Sequence, residues 1–159
     1  MERSFKKEVQ ALTLGAGETF HGEGILAVTK ALLQSGVSYV GGYQGAPVSH
    51  LLDVLVDAED IIGDLGVHLE TCTNEASAAA MLGSSINYPL RGAVTWKSIV
   101  GTNVAADALS NLSSPGVVGG VMANSFTSPF SSDMRISSVF LSAVMLPAKL
   151  AGMGRPLTM

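Results

Sequence analysis

The stretch HLETCTNEASAAAMLGSS, residues 68 to 85, changes its pattern abruptly at Thr73. Before Thr73 the side chains alternate between two faces, which is typical of a β-strand. After it, an alanine-rich segment predicts an α-helix, for which Thr73 or Asn74 can serve as N-cap. A single carboxylate, Glu75, lies in the first turn. The stretch therefore predicts a strand, a short loop and a helix, with one acid where the loop meets the helix.

Similar strand and helix patterns alternate along most of the chain. The predicted helices are residues 22–35, 48–60, 74–86 and 100–114, and the predicted strands are residues 37–43, 66–72, 92–97 and 116–123. Strands that alternate with helices of about ten to fifteen residues predict βαβ crossovers. We therefore expect an α/β fold with a mainly parallel sheet and helices on both faces. In such folds ligands bind beyond the carboxyl ends of the strands.

The composition supports this fold and disfavours several partners. The 159 residues fit one domain, and 47% of them are apolar while 14% are charged. This excess of apolar residues suits strands covered on both faces, and it also suits a subunit that buries surface in an oligomer. The net charge of -4 offers no basic surface for nucleic acid or anionic lipid. We expect neither of these partners.

Cysteine and histidine are too sparse for most metal or redox centres. Cys72 is the only cysteine, so the chain can form neither an internal disulfide nor an iron–sulfur cluster from its own thiols. We interpret Cys72 as a structural thiol. His21, His50 and His68 fall on separate predicted elements, and no pair has metal-ligand spacing. We expect no metal site, and a reducing cytoplasm is the default location.

Two further segments resemble a dinucleotide-binding loop and a membrane span only in part. GAGETFHGEG, residues 15 to 24, has Phe20 where a dinucleotide-binding loop needs its third glycine. The apolar run 136–153 is interrupted by serine, proline and lysine, and its unbroken part falls short of the ~20 residues of a membrane span. A small membrane-associated protein that uses this run is therefore the least favoured interpretation.

Three loops that follow predicted strands combine glycine with polar side chains: GYQGAP, TCTNE and WKSIVGTN. The glycines of the first loop allow a ligand to approach the backbone closely, and Pro47 suits the first position of the next helix. Trp96, Lys97 and Asn103 at the third loop suit an anionic or aromatic ligand. Glu75 has two interpretations. It complements the helix dipole, or it is a buried acid that shares a proton with a heterocycle nitrogen.

The segments GYQGAP, NEASAAAMLG and VTWKSIVGTNVAADALSNL, in this order, resemble the thiamine-diphosphate-dependent 2-oxoacid:ferredoxin oxidoreductases. The likeness is greatest to the pyrimidine-binding domain of the indolepyruvate type. It implies that residues 22–122 form a thiamine-diphosphate-binding domain of the pyrimidine type, incomplete, after a lead-in of residues 1–21. Residues 123–159 show no family pattern, and we expect a divergent tail of uncertain fold.

The resemblance assigns roles to particular residues. In the family, the glutamate at the position of Glu75 bonds to N1′ of the cofactor's aminopyrimidine, and the 4′-imino nitrogen then deprotonates the thiazolium. Gly45, Ala46 and Pro47 match the cofactor-binding first loop, and Asn103 matches a segment that supports the site. The family has threonine at the position of Ala46, so a hydroxyl that contacts substrate or cofactor is missing here.

The resemblance also implies a reaction and partners. The full enzyme decarboxylates 2-oxoacids, such as pyruvate or aryl 2-oxoacids, oxidatively to acyl-coenzyme A, and ferredoxin accepts the electrons. Gly63 and Asp64 followed by Asn87 lack the second glycine of the family's diphosphate motif. We therefore expect the diphosphate, its magnesium and the iron–sulfur clusters on another domain or subunit, and no activity from this chain alone. The alternative is a non-catalytic α/β scaffold or truncated subunit that has lost the cofactor chemistry.

Overall fold

A computed structural model describes residues 4–45 and 49–126 of the chain. They form a four-stranded sheet, in which every strand pairs in parallel and helices cover both faces. The predicted α/β fold is thus confirmed. The strands are β1 (Tyr39–Gly42), β2 (His68–Thr71), β3 (Gly92–Lys97) and β4 (Val121–Phe126), and their spatial order is β2-β1-β3-β4.

The helices follow the predicted segments, but three of those segments are divided. A 3₁₀ helix spans Glu8–Thr13, and the α-helices in the described part of the chain are α1 (Gly24–Gln34), α2 (Ser49–Asp57), α3 (Glu59–Asp64), α4 (Glu75–Met81), α5 (Ser84–Asn87), α6 (Val100–Val104) and α7 (Ala106–Ser113). The breaks fall at Ala58, at Leu82 to Gly83 and at Ala105, where the backbone leaves regular α geometry or tightens to i→i+3 bonds. Except for Gly83 these positions carry no breaker residue, so packing divides the helices.

The fourth strand begins later than its sequence pattern predicts. We expected it over residues 116–123, but β4 spans Val121–Phe126. Gly116 and Gly120 have φ angles of 73° and 91°, values that favour glycine and do not occur in a strand. The glycine-rich part is therefore the turn before the strand. The boundary expected at residue 122 consequently falls inside β4.

Helices from different parts of the chain cover the two faces of the sheet. On one face, Val40 and Ala93 pack with Leu51 and Leu55 of α2. On the other face, Val94 and Trp96 pack with residues of α4 and α7. The lead-in adds an outer layer on the first face, because Phe5, Val9 and Leu12 of the 3₁₀ region pack against α1 and α2.

The chain therefore leaves the two central strands toward opposite faces. From β1 it continues into α2 on one face, and from β3 it continues into α6 and α7 on the other. Because β1 and β3 are hydrogen-bonded neighbours, their carboxyl ends border a topological switch point. Parallel α/β sheets bind ligands in the crevice that opens at such a point.

A buried polar network lies at the amino-terminal ends of the strands, which we call the amino edge of the sheet. The Tyr39 hydroxyl lies 2.6 Å from Ser85 Oγ, and Ser85 Oγ donates to the Leu90 carbonyl at 2.7 Å. The Ser85 carbonyl in turn accepts from Val118 N–H at 2.8 Å. This network ties β1, α5 and the segments that lead into β3 and β4 together at the amino edge.

No helix within residues 4–45 and 49–126 is long and apolar enough to cross a membrane. The apolar run 136–153 lies outside these residues. The structure therefore does not test the interpretation of the chain as a small membrane-associated protein that uses this run.

Replacing Tyr39 with phenylalanine removes the hydroxyl from the amino-edge network. We expect the free energy of unfolding to fall by about 1–2 kcal/mol, because a buried hydrogen bond is lost. Urea denaturation near neutral pH measures this change. Tyr88→Phe is the matched control, since Tyr88 is 61% exposed. It should alter stability by less than about 0.5 kcal/mol.

The same variant should change the response to alkali. Burial raises the pKa of Tyr39, although the hydrogen bonds to Ser85 oppose this rise. The folded protein thus keeps the Tyr39 proton at pH values where the unfolded chain has lost it, so stability falls as pH rises above about 10. In Tyr39→Phe this part of the loss of stability at high pH should be absent. If the free energy of unfolding falls equally with pH in the wild type and in Tyr39→Phe, Tyr39 is not the group responsible.

Candidate functional site

The candidate site lies at the carboxyl-terminal ends of the strands, which we call the carboxyl edge of the sheet. The loops after β1, β2 and β3 meet there. Two backbone bonds continue the strand pairing into these loops. Tyr43 N–H donates to the Thr95 carbonyl at 3.0 Å, and Cys72 N–H donates to the Gly42 carbonyl at 2.8 Å. The three loops singled out from the sequence are therefore held at one edge by the register of the central strands.

Glu75 is a buried acid at this edge. It is the first residue of α4 and is 8% exposed. The N-cap is Asn74, whose Oδ1 accepts from Ser77 N–H at 2.8 Å. Within the described residues the Glu75 carboxylate forms no hydrogen bond or ion pair. The helix end is thus capped without Glu75, whose carboxylate oxygens keep their acceptor capacity.

The burial of Glu75 follows from how closely α4 approaches the sheet. Ala78 and Ala79 on its inner face are 0% and 1% exposed. Opposite them, β1 carries glycine, and a Cβ atom at Gly41 would lie 2.5 Å from Sδ of Met81. Small residues on both surfaces let the helix pack close to the strand. Its first turn is consequently held against the end of the sheet.

The segment after β3 covers Glu75 from the other side. A Cβ atom at Gly101 would lie 2.4 Å from Cδ1 of Trp96 and 3.0 Å from Cγ of Glu75. Trp96 is 1% exposed, and its indole Nε1–H donates to Thr102 Oγ1 at 3.3 Å. Glu75, Trp96 and the bare backbone of Gly101 therefore form one packed unit, which we call the acid cluster.

The turn that brings Gly101 into place is strained. Ile99 has φ 64° and ψ -75°, and Val100 N–H donates to the Ser98 carbonyl at 2.9 Å. These values define a γ-turn with positive φ, a conformation that costs a β-branched residue of the order of 1–3 kcal/mol. Such strain persists where the surroundings fix the backbone. Here β3 fixes one side of the turn, and the packing of α6 on Trp96 fixes the other.

The structure brings several of the predicted site residues together. Glu75 lies in the acid cluster, and Gly45 lies against Lys97, because a Cβ atom at Gly45 would be 3.1 Å from Cβ of Lys97. Ala46 and Pro47 lie outside the described residues. Asn103 is exposed on α6, and its backbone N–H donates to the Ile99 carbonyl at 3.1 Å. In the described part of the chain its side-chain amide forms no hydrogen bond.

Sequence reasoning did not single out Gly101 or Ile99 as part of this site. A glycine four residues after the end of β3, inside the next helix, was the available signal for Gly101, since glycine allows close approach of backbone. Nothing in the sequence signals a positive φ at isoleucine, which rarely adopts it. That feature arises from tertiary packing.

Two cavities among the described residues are lined by parts of α4 or α7. One, of about 590 Å³, runs between α4 and α7 and includes Asn74, Ser77 and Asn111 in its lining. The other, of about 260 Å³, lies between α7 and β4 and is lined mainly by apolar residues. Neither is lined by Glu75. The cavities therefore do not define the site, which is identified by its strand ends and its buried acid.

Cys72 and the histidines form no reactive centre at this edge. Burial raises the pKa of the Cys72 thiol, and the nearby Glu70 carboxylate raises it further, while a backbone hydrogen bond to Gly42 acts in the opposite direction. A thiol with a raised pKa is a poor nucleophile at neutral pH. Within residues 4–45 and 49–126, no group of three histidine, cysteine or acidic side chains is placed to hold a metal ion.

Comparison of the chain with models of protein families, with curated proteins and with solved structures finds no match.

An added methyl group at Gly101 should disturb the acid cluster. We expect Gly101→Ala to lower the free energy of unfolding by about 1–3 kcal/mol, because the new Cβ overlaps Trp96 and backbone must move. Trp96 is the only tryptophan in the chain, so its fluorescence reports this site alone. Its emission should change in Gly101→Ala.

Gly63→Ala is the matched control for that variant. Gly63 lies in α3 with nothing within 4 Å of an added Cβ. The change should stabilise the protein by about 0.5–1 kcal/mol through helix propensity, and it should leave the emission of Trp96 unaltered. Equal effects of the two substitutions would show that Gly101 is not a point of close packing.

Alkylation tests the interpretation of Cys72 as a structural thiol. Since the raised pKa keeps the thiol protonated, the folded protein should react with iodoacetamide more slowly near neutral pH than the same protein in urea. The midpoint of the rate against pH should lie above that of the unfolded chain. A lower midpoint would instead identify an activated cysteine.

Proposed function

We propose that this chain supplies the pyrimidine-binding half of a thiamine diphosphate site in a 2-oxoacid:ferredoxin oxidoreductase of the indolepyruvate type. The observation that carries the proposal is the Glu75 carboxylate. The residue is 8% exposed at the carboxyl edge of a parallel sheet, and no side chain of the described residues pairs with its carboxylate. Neither carboxylate oxygen is among the fully buried, unpartnered atoms of these residues, so both remain open to a ligand that donates a hydrogen bond.

An aminopyrimidine fits this requirement. Its ring nitrogen, once protonated, donates to one carboxylate, and a single acid such as Glu75 is sufficient. In this proposal Glu75 holds the proton at N1′, while Trp96 and Gly101 pack beside the Glu75 side chain and fix its position. When bound, thiamine diphosphate supplies the thiazolium carbon nucleophile that attacks a 2-oxoacid. Gly45, in the loop after β1, borders the crevice between β1 and β3 and lies against the stem of Lys97.

The rest of the reaction requires partners. The diphosphate, its magnesium ion and the iron–sulfur clusters are assigned to a separate domain or subunit, with ferredoxin as electron acceptor and the cytoplasm as location. Apolar side chains around the acid cluster are open to such a partner, since Ile99 is 67% and Val100 61% exposed. Covering them within an oligomer would remove this area from water.

The second candidate is a non-catalytic α/β scaffold. Ala46 favours it, because the threonine of the family loop is absent at that position. In a scaffold Glu75 would only complement the dipole of α4. A ligand-binding measurement separates the two candidates, since the scaffold has no use for the acceptor oxygens of Glu75.

Thiamine, which carries the pyrimidine without the diphosphate, is the probe for this chain. We expect titration with thiamine to quench or shift Trp96 fluorescence. Glu75→Gln should weaken the affinity about 10- to 100-fold, because a charged hydrogen-bond partner is lost. Glu70→Gln is the matched control, since Glu70 is an exposed acid at the end of the neighbouring strand β2. That variant should bind as the wild type does.

Calorimetry adds a signature that a change in packing would not produce. Pairing with Glu75 protonates the pyrimidine nitrogen, so binding should take up a proton, and the measured heat should differ between buffers of different ionisation enthalpy. Glu75→Gln should abolish this difference. Binding that is equally tight in both proteins, or equal in heat between buffers, would favour the scaffold.

A further inference from the structure

Lys97 is a cation at the carboxyl edge whose role the pyrimidine site does not explain. It ends β3, is exposed, and its stem lies against Gly45, with Cβ and Cδ at 3.1 and 3.9 Å from the position of a Cβ there. Because Gly45 has no side chain, the lysine stem can lie directly across the loop after β1. The stem of Lys97 therefore borders the crevice at the switch point.

The charge of Lys97 is not used within the described residues. Lys30 donates to the carbonyls of Leu12 and Leu14, and Arg91, at the start of β3, donates to the Ser35 carbonyl. Lys97 by contrast forms no hydrogen bond or ion pair in the described part of the chain. Among those residues it is therefore the available cation at the carboxyl edge.

A second unpartnered donor lies on the same face of the same strand. Thr95 is 1% exposed, and its Oγ1 is the one buried side-chain polar atom in the described residues without a hydrogen-bond partner. Residues two apart in a strand point to the same face, so Thr95 and Lys97 share one face of β3. Native proteins rarely leave such an atom unsatisfied. An unpartnered hydroxyl on the same strand face as an unpartnered ammonium group is suited to an anion.

Glu75 lies on the opposite side of the crevice. It begins α4, which packs on the face that holds Val94 and Trp96, whereas Thr95 and Leu52 of α2 both lie within 3.2 Å of the position of a Cβ at Gly42. The edge thus places the Glu75 carboxylate on one side of the switch point and unpaired donors on the other. A cofactor with a basic heterocycle, bound together with a substrate that carries an anionic group, matches this separation of charge.

We propose that Lys97, with the Thr95 hydroxyl beneath it, forms the subsite for the carboxylate of the 2-oxoacid. This inference rests on the proposed function, which supplies the 2-oxoacid and places the cofactor at Glu75. The phosphate groups of the cofactor share the same anionic chemistry. The assignment to the carboxylate follows from the expectation that the diphosphate is held by another domain.

Binding of phenylpyruvate to the chain, measured by calorimetry or by NMR, tests the subsite. Lys97→Met should lower the affinity about 10-fold or more, as expected for loss of a charged partner. Lys97→Arg should restore most of it, because the charge is kept. Lys7→Met, in the exposed lead-in, is the matched control and should bind as the wild type does. The methyl ester of phenylpyruvate should show no dependence on Lys97.

Thr95→Val tests the hydroxyl separately. Valine keeps the shape of the side chain and removes an unpartnered group, so the free energy of unfolding should stay equal or rise. The affinity for phenylpyruvate should nevertheless fall several-fold. Unchanged affinity in this variant would remove Thr95 from the subsite.

The outcomes distinguish this inference from the proposed function. Equal affinity of wild type and Lys97→Met for phenylpyruvate overturns the subsite, whatever the result with thiamine. Inorganic pyrophosphate that binds more tightly than phenylpyruvate in a Lys97-dependent manner overturns the assignment to the carboxylate. Lys97-dependent binding of phenylpyruvate, together with no Glu75-dependent binding of thiamine, supports the subsite and overturns the pyrimidine site.

Discussion

The close approach of α4 to β1 is the contact on which the geometry of the carboxyl edge depends. Alanine on the inner face of the helix leaves it no bulky side chain there, and the Met81 side chain of the helix fills the space over Gly41 of the strand. A larger side chain on either surface would raise the helix and carry Glu75 outward into water. Glu75 is thus buried because the facing surfaces of α4 and β1 carry small residues. The same packing places Gly101 against Glu75.

The hydrogen bonds at the start of α4 leave Glu75 free for a role beyond helix stability. A first-turn carboxylate gains about 0.3–1 kcal/mol from the helix dipole. Asn74 already caps α4, so Glu75 is not needed for that purpose. Its carboxylate has no partner among the described residues and is not closed off from solvent, so a ligand that donates a hydrogen bond can reach it.

The two edges of the sheet differ in how far their polar groups are satisfied. At the amino edge Tyr39, Ser85 and Leu90 form a closed hydrogen-bonded network. At the carboxyl edge Ile99 adopts a strained turn, and Thr95 Oγ1 is without a partner among the described residues. Strain and unsatisfied groups collect where surrounding structure can sustain them, and that is commonly a binding site.

The sequence by itself determined the element types and their parallel arrangement. Strand β3 coincides with its predicted segment, a short apolar and β-branched run that is buried on both faces of the sheet. The sequence also identified Asn74 as a possible cap and Glu75 as the acid of interest. It misplaced the start of β4, because Gly119 and Gly120 form a turn only once Gly119 packs against the Leu90 backbone. Only the tertiary structure decided that Glu75 is buried, that Gly45 meets Lys97 and that Ile99 turns with positive φ. Each of these facts depends on contacts between residues far apart in the chain or on packing around a turn, and no local pattern encodes such distances.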